Sequence, residues 1–318
     1  MRHCLFAKHS EIEYVSNFHS PSLNKHLRRV SKPNANLPAS IIKDVQREMD
    51  PHWQVGKPCV FCNEYLVCGD ADKKRRQAKL FRSALGDCQI LITIREPISF
   101  MESHYFQELK GFNLRWNKFP WLVDNFGKPP RYFNINDWCS VLQDDPRTDR
   151  FEPLKMAETA DIYAEMFGKE NIHLVVFEKL KRNPREFLAD ICRCIGVSLD
   201  EASRLCAGQA KNVRWTEFSI DRLKRLEASF LPKWKYRLRR AFGIRRGRKT
   251  LERQLFVNKP TQEGESPRAR AHLEPKWRTV FENIGREQSQ RIVAQWGILL
   301  EDYGYPVPER QRIERPAA

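Results

Sequence analysis

Short apolar runs and stretches of helical periodicity alternate along most of this chain. Residues 90–94 (Ile-Leu-Ile-Thr-Ile) and 172–177 (Ile-His-Leu-Val-Val-Phe) are β-branched, and they predict strands. A third strand-like run covers residues 58–66. Apolar residues recur at helical spacing over 39–49, 73–85, 153–167, 184–195 and 276–303. Punctuation agrees with these limits: Pro153 stands near the start of one helix and Gly168 at its end, and Gly196 closes the next. In the last helix Trp277, Val280, Phe281, Ile284, Ile292, Trp296 and Leu299 fall near one face, as core packing requires. Strand, helix, strand order within one sheet implies parallel pairing and right-handed crossovers, so the class expected is α/β. Residues 111–138 are rich in aromatics, Asn and Pro and keep no period. They read either as a loop lining an acceptor pocket or as a merely variable one. The tail after Pro306 is Pro-rich and charged, and it is expected to fray.

The strand over 90–94 ends on the chain's most suggestive residues. Arg95 falls in the turn after it, and Pro97 has the fixed φ and missing N–H that suit a first helical position. A guanidinium there can fork onto a phosphate while the helix N-terminus adds backbone donors. Ser103 can reach the same anion from further along the helix. The plainer alternatives are an ion pair of Arg95 with Glu96 or Glu102, and a surface hydroxyl for Ser103. His104 faces about 100° away from Ser103, so the two do not address one ligand. His19 and His173 read as structural.

The order of strand, Arg95, Pro97 and Ser103 resembles the 3′-phosphate-binding motif of sulfotransferases that use 3′-phosphoadenosine 5′-phosphosulfate. In that family an Arg-x-Pro turn is followed by a Ser on the next helix. Residues 171–188 are similar to the later strand and acidic turn of the same family, with Glu178, Leu180, Pro184 and Phe187 at the matching places. The resemblance runs from about the first residues to Pro306 and is carried by these two blocks. It implies a three-layer, P-loop-like α/β sandwich, with a central parallel sheet flanked by helices, as a single domain over residues 1–306. It also implies 3′-phosphoadenosine 5′-phosphosulfate as co-substrate, no metal, and sulfuryl transfer to a hydroxyl or amine of a glycan or small molecule. Arg95 and Ser103 are then the co-substrate's 3′-phosphate ligands. Glu64, just after the second strand, matches the catalytic base of the carbohydrate-directed branches, with an ordinary strand-end acid as the alternative. Glu178 matches an acid of mainly structural use. A basic C-terminal loop around the 3′-phosphate would fall at Arg245 to Lys249, or at Lys259.

One element of the family pattern is missing. Members open with a strand and a loop carrying Lys, Gly and Ser or Thr that holds the 5′-phosphosulfate. Residues 5–15 look instead like the segment just beyond that loop, the end of the first helix and its turn, so the expectation is an N-terminally truncated fold. A downstream start site and a shortened product explain this equally. No G-x-x-x-x-G-K-[ST] occurs anywhere, and residues 243–250 approach it with the wrong spacing. Two outcomes stay open: a sulfotransferase, and a non-catalytic relative that keeps only the 3′-phosphate site.

Composition sets the remaining bounds. With 318 residues, 41% of them hydrophobic and 11% aromatic, the chain can bury a core. No uninterrupted apolar stretch approaches the roughly 18 residues of a membrane span, and no apolar leader comes after Arg2 and His3. A cytoplasmic product is expected, with a lost targeting segment left open. Nine cysteines, an odd number, argue for reduced thiols. Strand alternation sends Cys59 and Cys62 to opposite faces, against a metal or redox pair. The net charge of +16 is concentrated in residues 233–249, which hold nine Lys or Arg and no acid. That run reads as a solvated connection, as a dock for an anionic membrane through Trp234, Tyr236, Leu238 and Phe242, or as an attractor of anionic ligands. Nothing beside it marks specific nucleic-acid recognition. Binding of polyanions or membrane surfaces is accordingly the rival function.

Overall fold

The computed structural model describes residues 5–15, 25–27, 38–110, 134–144, 151–207, 217, 219–221 and 269–307. The basic run 233–249, Lys259, the segment 111–133 and residues 308–318 lie outside them, as do the side chains of Glu64 and Tyr65. Among the described residues there are four parallel strands: β1 (Glu13–Val15), β2 (Cys59–Phe61), β3 (Ile90–Ile94) and β4 (Ile172–Val176). β1 pairs with β2, Glu13 opposite Cys59, and β3 pairs with β4, Ile90 opposite Ile172. The parallel sense is the one expected. Among the described residues, however, the strands form two two-stranded ladders rather than one continuous sheet.

The helices described in full are α1 (Ala39–Trp53), α2 (Ala71–Leu85), α3 (Pro97–Lys110), α4 (Ile135–Asp144), α5 (Met156–Phe167), α6 (Lys179–Arg182), α7 (Pro184–Ile195), α8 (Leu199–Cys206) and α9 (Pro275–Trp296). Their ends obey local chemistry. Asp70 caps α2 by accepting from the Lys73 N–H at 2.7 Å, and Asn183 caps α7 by accepting from Glu186 N–H at 3.2 Å, with Pro184 at the first helical position. Gly196 ends α7 in the left-handed region, at φ +77°.

Several boundaries correct the sequence reading. Residues 5–9 do close a helical turn, His9 N–H donating to Leu5 C=O at 2.9 Å, but Glu13–Val15 is a strand too short to show a period. The strand expected over 58–66 stops at Phe61, and a 3₁₀ turn, Glu64–Val67, takes over after Asn63. Pro153 belongs to a separate 3₁₀ turn, Glu152–Leu154, ahead of α5. α9 ends at Trp296 because Gly297 turns the chain at φ +64°. α4 falls partly inside the segment read as aperiodic. Asn134 starts it by accepting from the N–H groups of Asn136 and Asp137 at 2.8 and 2.9 Å.

The chain divides into two compact units. Unit 1 comprises Met1–Phe100, Leu142–Gln209 and Thr279–Ala318, and unit 2 comprises Met101–Val141 and Ala210–Arg278. Within unit 1, strand alternation feeds two hydrophobic clusters. Val15, Phe61, Ile92, Ile94 and Val176 join residues of α1, α2, α5 and α9 in one. Tyr14, Val60, Leu91, Val175 and Phe177 join Leu5 and residues of α7 and α8 in the other. Cys59 packs on the first cluster and Cys62 on the second, as alternation requires. Burial raises the Cys59 thiol to about 11. Between α2 and the turn before α5, Lys74 and Glu152 form a fully buried ion pair at 2.9 Å, and Lys155 also pairs with Glu152. Within unit 2, Trp138 packs against Tyr105 and His104 at ring distances of 5.6 and 5.4 Å. His104 is thus an aromatic packing partner.

Candidate functional site: the turn between β3 and α3

The carboxyl ends of β3 and β4 lie side by side, and the residues leaving them build the candidate site. In open α/β sheets ligands gather at such strand ends. Phe177 N–H donates to Ile94 C=O at 2.9 Å, so the ladder continues one residue past β4 and places the Phe177 ring next to the turn. The Arg95 guanidinium lies over that ring, 4.8 Å from its centroid. Phe177 in turn meets the fully buried Phe187 edge to face, at 6.2 Å and 85°, which fixes the platform. One edge of the guanidinium is tied to the first turn of α3: Nε and Nη2 donate to Ser99 Oγ at 3.1 and 2.8 Å.

Glu96 organises the backbone of the same turn. Its carboxylate accepts from the N–H groups of Ile98 and Ser99 at 2.9 and 2.6 Å, capping α3. This corrects one expectation. The first donors of the helix, foreseen as ligands for an anion, are occupied by the chain's own carboxylate, so the grip on a ligand falls to side chains. Burial raises the Glu96 pKa above the usual carboxylate value of 4.5, opposed by the two backbone hydrogen bonds and supported by the nearby Glu178 charge.

Glu178 joins three segments. It accepts from Glu96 N–H at 3.1 Å and from the Tyr305 hydroxyl at 2.9 Å, so β3, β4 and the C-terminal segment are locked at one point. Tyr305 is buried, and burial together with the Glu178 charge pushes its hydroxyl pKa well up, so it stays a donor. A small cavity of ≈ 10 Å³ lies behind the turn, lined among others by Arg95, Pro97, Gln288 and Tyr305; it has room for about one water. On this side α9 presses on the turn at Gly285, where an added Cβ would lie 2.7 Å from Pro97 Cγ.

Of the residues expected from sequence, Arg95 sits at the strand end before α3. Ser103 is half-buried on α3, one helical turn beyond Ser99. Glu64 begins the 3₁₀ turn after β2. Ser99, Phe177 and Tyr305 escaped the sequence reading. For Ser99 a signal existed in its spacing, one helical turn after Arg95; Tyr305 had none, since its contact spans 127 residues. No family model, curated protein or solved structure matches this chain.

Proposed function

We propose that this chain is a nucleotide-binding protein of the sulfotransferase type, gripping the 3′-phosphate of 3′-phosphoadenosine 5′-phosphosulfate at the turn between β3 and α3. The observation that carries the reading is the Arg95 guanidinium held at the end of a parallel strand, stacked on Phe177 and tied to Ser99. A planar cation fixed in this way is suited to an anionic oxygen pair, since little of its freedom remains to be lost on binding. Ser103 is the second ligand. The two hydrophobic clusters, one on each side of the strands, support a three-layer arrangement with helices on both faces. In the full reaction a base removes the proton of the acceptor hydroxyl or amine and the new bond to sulfur forms. The sulfur–oxygen bond to the 5′-phosphate breaks, and adenosine 3′,5′-bisphosphate leaves. Glu64 is the residue proposed as base, and the acceptor is a glycan or a small molecule.

A second reading is binding of the nucleotide at the same Arg95 site without transfer. A third, binding of polyanions or anionic membranes, rests on residues 233–249. Calorimetric titration with adenosine 3′,5′-bisphosphate tests the shared core of the first two. Micromolar binding is expected for the wild-type chain and its loss for Arg95→Ala. A folded wild-type chain that does not bind refutes both. Retained binding by Arg95→Ala, with strong salt dependence abolished by neutralising 233–249, establishes the third.

A further inference from the structure

From the geometry of the turn we infer that Ser99 is a ligand of the 3′-phosphate as well as the residue that sets the guanidinium of Arg95. This rests on the nucleotide-binding reading above and adds to it a residue that reading does not contain. Ser99 Oγ accepts two N–H donors from Arg95, at 2.8 and 3.1 Å. A hydroxyl has two acceptor lone pairs and one proton. With the guanidinium taking up the oxygen's acceptor side, the Oγ–H is directed away from Arg95, toward any acceptor that shares the turn. The positive charge beside the oxygen polarises that O–H and makes it a better donor to an anion.

The hydroxyl is held from below as well. Ser99 N–H is bound by the Glu96 carboxylate at 2.6 Å, so the residue's backbone is pinned at the start of α3. Phe177 covers one face of the guanidinium, backed by Phe187 in the core. Arg95 is therefore restrained on its face by an aromatic ring and along one edge by Ser99. Removing the hydroxyl frees that edge and deletes one donor. Both effects weaken phosphate binding, and only for a ligand that carries a phosphate at this position.

The test compares adenosine 3′,5′-bisphosphate with adenosine 5′-monophosphate by calorimetry on the wild-type chain, Ser99→Ala, Ser99→Thr and Arg95→Ala, with circular dichroism to verify folding. Expected are an approximately tenfold loss of affinity for the bisphosphate in Ser99→Ala, the effect of one lost hydrogen bond to a charged group, and recovery to within about threefold in Ser99→Thr. Affinity for the monophosphate, which lacks the 3′ group, stays unchanged across the Ser99 variants. If Ser99→Ala binds the bisphosphate like wild type while Arg95→Ala does not, the role of Ser99 is overturned and nucleotide binding stands. An equal loss for both nucleotides also overturns it, as that is a structural effect. A folded wild-type chain binding neither nucleotide overturns the nucleotide reading and this inference together.

Discussion

Gly285→Ala is the sharpest test of how the β3–α3 turn is supported, because two well-defined effects of opposite sign meet there. Gly285 lies inside α9, where alanine is the better helix former by about 1 kcal/mol. Without its neighbours the substitution would stabilise the chain. An alanine Cβ, however, would stand 2.7 Å from Pro97 Cγ and 2.9 Å from Pro306 Cγ, about 1 Å inside normal carbon contact distance. Both obstacles are closed proline rings, which can yield only by a change of ring pucker or by a backbone shift, and Pro97 is the first residue of α3. Overpacking costs about 1–3 kcal/mol, and two simultaneous collisions place this case in the upper part of that range, at about 2–3 kcal/mol. The net expectation is a loss of about 1–2 kcal/mol, read as a fall of a few degrees in thermal midpoint. Urea unfolding of Gly285→Ala, Pro306→Ala and the double variant completes the assay. The double variant should be less destabilised than the sum of the singles, because one of the two collisions is gone. An unchanged or raised midpoint for Gly285→Ala would refute the reasoning, as it would mean that α9 does not press on the turn.

Buried charge leads to two further outcomes. Lys74→Met removes a buried partner of Glu152, which keeps its ion pair with Lys155, and it should cost about 3 kcal/mol in urea unfolding. Lys74→Met combined with Glu152→Leu should recover most of that loss, and a single variant within about 0.5 kcal/mol of wild type would contradict the burial. For Glu96 the folded pKa is raised, so the folded chain holds this proton more tightly than the unfolded chain does. Its stabilising contribution is complete below the ordinary value of 4.5 and is lost as pH rises through the raised one. Glu96→Gln, which keeps an acceptor for the helix cap, should therefore gain on wild type as pH increases above that point. Parallel stability curves in denaturant titrations across this range would show the expectation to be wrong.

Much of this molecule is written locally. The β-branched runs at 90–94 and 172–177, the capping residues Asp70 and Asn183, and Pro97 and Pro184 each act within a few residues of where they stand, so periodicity and turn chemistry place β3, β4, α2, α7 and the start of α3 to within a residue or two. Parallel pairing is set in the same way, since each crossover must return the chain in the same direction. Arg95 was legible because it ends a strand and precedes Pro97.

The features that escaped depend on contacts between distant parts of the chain. β1 has three residues, too few for any period, and exists because it pairs with β2. Among the described residues the division of the strands into two ladders reflects which backbone edges meet, and no side-chain pattern encodes that. The assignment of the α3 donors to Glu96 was within reach of sequence. The joining of Glu96 to Glu178, and of Glu178 to Tyr305, was not, because these bonds span 82 and 127 residues. Hydrophobic patterning says which face of an element is buried, and it is satisfied by many partners. Only the packed structure decides which partner arrives, and so which ring lies against the face of Arg95, which glycine must stay small, and which carboxylate shares its site with a buried tyrosine.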